Sequence, residues 1–116
     1  VGLEPRLIEP ATDVTIRLVG AGRLATAVSA ALALPPGAGG RGKEFVQARA
    51  VASALAARAG IASRETAAAL GATMRGVQRH ARSSQHDAAV LQAVRMRLAL
   101  EDAVAGSLGL KPAWPG

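Results

Sequence analysis

The sequence predicts an all-α fold of five or six helices, and two observations carry that expectation. Through most of the chain, apolar residues recur at the three- and four-residue spacing that places side chains on one face of a helix. The core-forming residues are Leu, Val, Ile and above all Ala, with Phe45 and Trp114 the only aromatics, a composition suited to closely packed helices rather than strands.

Residues 1–12 carry Pro5 and Pro10 beside Glu4 and Glu9 and read as an irregular leader. From Asp13 onward Val14, Leu18, Ala21, Ala25, Val28 and Leu32 keep helical spacing and are expected to face inward, with a break near Gly20 and Gly22. The alternation of Val14, Ile16 and Leu18 leaves a short strand open there. Pro35 to Gly40 cannot propagate a helix, so residues 35–43 are expected to form a basic loop that delivers Arg41 and Lys43. The next stretch, Lys43 to Ala59, has one apolar stripe (Phe45, Ala48, Val51, Ala52, Leu55, Ala56) and stops at Gly60.

Ser63 reads as the N-cap of a short helix whose Glu65 meets the positive end of the helix dipole, with Ala67 and Leu70 inward and Gly71 as the stop. Thr73 reads as the cap of a further helix reaching about Arg82. Ser83 and Ser84 interrupt the pattern, and Asp87 starts a last helix with Val90, Leu91, Val94, Leu98 and Val104 inward. Residues 107–116 are left as a tail, giving one helical domain over 13–106. A length of 116 residues suits such a domain and leaves no room for a catalytic domain beside it. The chain opens on Val1 rather than Met, the expected mark of an excised piece or a processed tag.

Charge is concentrated. Between Arg41 and Arg82 stand eight basic residues (Arg41, Lys43, Arg49, Arg58, Arg64, Arg75, Arg79, Arg82) against Glu44 and Glu65, which accounts for the whole net charge of +6. Twelve of the fourteen basic residues are Arg, whose planar fork matches phosphate oxygens and guanine edges. An Arg- and Ala-rich composition also follows from a GC-rich genome, but that would not cluster the charge. Cysteine is absent, which excludes disulfides and thiolate metal sites and suits a cytoplasmic setting; no run of about 18 apolar residues suggests a membrane span.

Residues 63–82 therefore read as a DNA-binding helix-turn-helix. Such a motif needs a small residue in its first helix, a turn residue tolerant of unusual angles, and an apolar anchor on each helix; Ala67, Gly71 and the pair Leu70 and Val77 supply them. The anchors leave Arg75, Gln78 and Arg79 to read bases, since Arg pairs with guanine and Gln with adenine in the major groove. Backbone contacts are expected from Arg49, Ser63, Arg64, Thr73 and Arg82, with Arg41 and Lys43 from the basic loop. A solvated face remains the alternative for Arg79 and Arg82. His80 reads as a partly buried packing residue, His86 as surface, and Gly76 as either a close approach to DNA backbone or a packing contact.

Arg41, Lys43, Glu44, Val46, Ala48, Arg49, Ala52 and Leu55, followed by Ser63, Gly71, Val77 and Arg82, resemble the C-terminal DNA-binding domain of the bacterial replication initiator DnaA, over roughly Leu24 to Leu100. The resemblance implies a Trp-repressor-like helix-turn-helix in which the basic loop enters the minor groove (Arg41 or Lys43), Arg49 contacts phosphate, and Thr73 to Arg82 form the recognition helix. The family's Arg-Asp-His-Thr-Thr-Val run is replaced by Thr73-Met-Arg-Gly-Val77, one residue shorter, so the initiator's base contacts do not carry over. No Gly-x-x-x-x-Gly-Lys-Ser/Thr phosphate loop is present, so the initiator's ATPase part is absent.

Phage-derived and gene-transfer-agent transcription activators are similar, and so are some transposase tails. A regulator of that kind would engage RNA polymerase components through regions outside this sequence, and a homodimer formed through the alanine-rich N-terminal helix stays open. No nucleophile and base, no converging carboxylate pair and no metal-ligand spacing argues for an enzyme, and no cofactor is expected.

Overall fold

The computed structural model describes residues 8–34, 42–83 and 86–107, and all its regular structure is helical. The elements are α1 (Asp13–Val19), α2 (Ala21–Ala31), α3 (Lys43–Ala59), α4 (Ser63–Leu70), α5 (Met74–Arg82) and α6 (Ala88–Ser107). The residues expected in a 35–41 loop, Arg41 included, lie outside the described ones, as do the leader's first seven residues. Lys43 is not on a loop: it is the first residue of α3, with Gly42 at the capping position.

α3 is the axis of the fold. It touches each of the other five helices, and residues 51–56 are buried without interruption, from Val51 through Ala56. A helix covered on every side at its middle needs small residues, and the alanines at 48, 52, 54, 56 and 59 let neighbouring backbones close in. One hydrophobic cluster forms on one flank, where Val51 and Leu55 meet Ile16, Leu24, Val28, Leu91, Val94 and Leu98 from α1, α2 and α6. The apolar stripe read from the sequence is this flank from Ala48 onward, with Phe45 half-buried outside the cluster; α4 and α5 also pack on α3.

Three inward assignments are corrected. Val14 and Leu18 are 69% and 50% exposed, and Ile16 is the buried residue of α1. α1 has only seven residues and meets α2 at 110° across Gly20, so the apolar phase of α2 does not extend back into it. Gly20 adopts φ +89°, which permits the sharp corner, while Gly22 lies inside α2. Val104 is 56% exposed because α6 outruns the core, whose last α6 member is Leu98.

Arg95 fastens the leader to α6. Its guanidinium donates to the Ala11 carbonyl at 2.9 Å and to Asp13 Oδ1 at 2.6 Å, while the Ala11 N–H donates to the Arg95 carbonyl at 3.0 Å. Among the described residues no single helix is long and apolar enough to cross a membrane.

Candidate nucleic-acid interface

α4 ends where glycine is needed. Gly71 sits in the left-handed region at φ +62°, and the Ala72 N–H returns to the Ala67 carbonyl at 2.9 Å, so three residues suffice to reach α5. Ala67 is buried, as required for close approach of the two helices, and Leu70 packs against the core cluster. Ser63, however, does not cap α4. Ala62 holds the capping position in an extended conformation, which makes Ser63 already the first helical residue, and its hydroxyl makes no capping bond. Thr66 is buried and donates its hydroxyl to the Ala62 carbonyl at 3.2 Å.

Thr73 caps α5 as its sequence position implies: its Oγ1 accepts from the Gly76 N–H at 3.0 Å. A Cβ on residue 76 would stand 3.1 Å from that hydroxyl, so this glycine leaves room for the cap. Thr73→Ala should lower stability by about 1 kcal/mol in a urea titration, with Thr73→Ser restoring most of it. An unchanged midpoint would show that the cap contributes nothing.

On α5 the pattern is two-sided. Arg75, Gln78, Arg79 and Arg82 recur at intervals of three, one and three, which puts all four on one stripe. The three arginines are exposed and Gln78 is half-buried, while Val77, buried on the opposite side, is the anchor. Among the described residues the ion pairs are Arg23 with Glu101, Arg97 with Glu101, and Arg95 with Asp13, all made with α6. Arg75, Arg79 and Arg82 take part in none of these.

The other expected contacts divide by position. Arg49, Thr73 and Arg79 line one cleft between α3 and α5, and Lys43 lines a second with His80 and Ser83. Lys43, Arg64 and Thr73 are exposed, and Arg49 and Ser63 half-buried. Arg64 and Ser63 line neither cleft.

His80 is half-buried, as expected of a packing residue. Burial, then the charges of Arg79 and Arg49 and finally His86, lower its pKa below 6.5. Because the folded chain resists protonation there, the unfolded chain binds more protons below 6.5, so this contribution to stability is intact above that value and lost as pH falls through the folded pKa. Urea midpoints measured from about pH 7.5 down to about pH 5.5 should fall, and fall less in His80→Gln. An equal fall in both proteins would place the effect elsewhere.

His86 is not a plain surface residue. It is half-buried, and its Nε2 donates to the His80 carbonyl at 2.9 Å, closing the C-terminal end of α5 across six positions. Among the described residues no group of three or more His, Cys, Asp or Glu is arranged to hold a metal ion.

The α3–α5 contact adds one residue that sequence reasoning missed. Ser53 of α3 is fully buried beneath α5, and its Oγ has no hydrogen-bond partner. A lone serine in an alanine run reads as one more small residue, so only the docking of α5 reveals it. Comparison with known proteins finds no matching family model, no matching curated protein and no matching solved structure.

Proposed function

We propose that this chain binds double-stranded DNA sequence-specifically, with α4 and α5 acting as a helix-turn-helix of the DnaA C-terminal, Trp-repressor-like type and α5 as the recognition helix. The observation that carries the reading is the stripe of exposed Arg75, Arg79 and Arg82 with half-buried Gln78 among them, backed by the buried Val77. A helix of this width fits the major groove, where arginine and glutamine have bidentate partners on guanine and adenine. Lys43, Arg49, Arg64 and Arg82 are assigned to phosphates, which position the helix without reading sequence. The setting that fits best is the DNA-binding part of a bacterial or phage-derived transcriptional regulator in the cytoplasm, and a transposase targeting domain would use the same surface.

Selecting bound duplexes from a random pool tests the proposal. Enrichment of a common motif, with binding lost when Arg75 and Arg79 are both replaced by alanine, is the expected result. Failure to enrich any motif would remove sequence reading.

A helical protein-interaction module is the second reading, favoured by Val14 and Leu18 on α1 and Leu100 and Val104 on α6, all exposed. Among the described residues neither α1 nor α6 packs against α5, so such a surface is compatible with DNA binding rather than exclusive of it.

A further inference from the structure

We propose that the cleft between α3 and α5 lined by Arg49, Thr73 and Arg79 is a phosphoryl-anion site with Ser53 on its floor. The cleft has a volume of about 230 Å³, and its lining includes Arg49, Ser53, Thr73, Gly76, Arg79 and His80. Ser53 and Val77 are its buried members and Val46, Thr73 and Arg79 its exposed ones, which separates a floor from a mouth. A water molecule takes about 30 Å³ of liquid, so the space admits a tetrahedral anion together with some of its water.

The floor is the unusual part. A serine inside a helix ordinarily returns its hydroxyl to the carbonyl four residues back, yet Ser53 Oγ is buried with no partner. Leaving a buried hydroxyl unsatisfied is costly, and folded proteins keep few of them. An acceptor arriving from outside would satisfy it.

The walls say what kind of acceptor. Two arginines and a histidine line the cleft, and among the described residues no carboxylate does. Arginine forks and a hydroxyl donor together suit a tetrahedral oxyanion, whereas a cation would be repelled. The nine-residue α5 begins at this cleft, adding the positive end of its dipole. Arg79, long and exposed, is the part of the wall that can swing to admit the ligand.

A phosphoryl group can come from free phosphate or from a nucleic-acid backbone. The second source rests on the DNA-binding reading above; the site itself rests on the cleft.

The test uses inorganic phosphate, a DNA duplex and the variant Ser53→Ala. Adding phosphate should produce saturating NMR shifts confined to the amides of Ser53 and Gly76 and the ring of His80, and should raise the His80 titration midpoint. Ser53→Ala removes no hydrogen bond made within the protein, so its urea midpoint should hold or rise while phosphate affinity falls roughly tenfold.

Tenfold weaker duplex binding in the same variant would identify a backbone phosphate as an occupant, even if free phosphate binds too weakly to follow. Loss confined to free phosphate would identify the free ion, and a wild-type chain that binds phosphate here but no duplex would sink the DNA reading while keeping the site. Unchanged affinity of Ser53→Ala for both ligands overturns the site and leaves the helix-turn-helix reading standing. Shifts spread evenly over every exposed arginine, reproduced by chloride, overturn it as well.

Discussion

Arg75→Ala should weaken binding to a selected duplex by about 1–3 kcal/mol while changing affinity for random DNA much less, because a bidentate arginine–guanine pair is lost only where the guanine is present. Arg79→Ala should behave alike if Arg79 also reads a base. The two residues differ in one respect: Arg79 lines the α3–α5 cleft and Arg75 does not. Equal loss on selected and random duplexes for Arg79→Ala, with a selective loss for Arg75→Ala, would assign Arg79 to a phosphate. Both side chains are exposed on α5, so neither truncation opens a cavity, and folding should be unaffected within about 0.5 kcal/mol. Fluorescence anisotropy on the two duplexes, with circular dichroism as the folding control, measures all of this.

Leu55→Ala should cost about 2–5 kcal/mol of folding stability. Leu55 is fully buried at the middle of α3, inside the cluster that unites α1, α2, α3 and α6. Domains of this size are stabilised by about 5–15 kcal/mol in all, so the loss would be a large share. Leu18→Ala supplies the contrast: this leucine is 50% exposed on α1, and its truncation should shift the urea midpoint little. Sequence periodicity alone ranks the two leucines together as inward-facing. A large loss at Leu18 with a small one at Leu55 would mean that α1 packs through the face its periodicity suggests and that α3 is not the centre of the fold.

That pair of leucines marks where sequence reading works in this chain. The limits of α3 and α5 and the end of α4 were legible because local chemistry sets them. Gly60 and Gly71 take left-handed conformations that other residues avoid, and Thr73 carries its own cap acceptor. The stripe of α5 was legible for a related reason, since one buried valine among charged residues fixes which side faces out.

α1 was not legible in the same way. Two turns of helix carry too few apolar positions to fix a phase, and the corner at Gly20 lets tertiary packing choose Ile16 over Val14 and Leu18. Ser63 was misplaced by a single residue: Ala62 already holds the extended angles of the capping position, and a serine one step later has nothing to cap. His86 reached α5 across an interruption in the chain, a contact that no spacing rule encodes. Ser53 was missed because its burial depends on a helix more than twenty positions away docking on its side of α3.

Counterion release offers the most direct check on whether this arginine-bearing surface meets a polyanion. Assigning Lys43, Arg49, Arg64 and Arg82 to phosphates implies that log K for a duplex falls linearly with log salt at a slope of about −4, at roughly 0.9 per phosphate neutralised. Replacing Arg82 by alanine should make the slope shallower by about one. A duplex affinity that does not respond to salt, or a slope indifferent to Arg82, would contradict the interface.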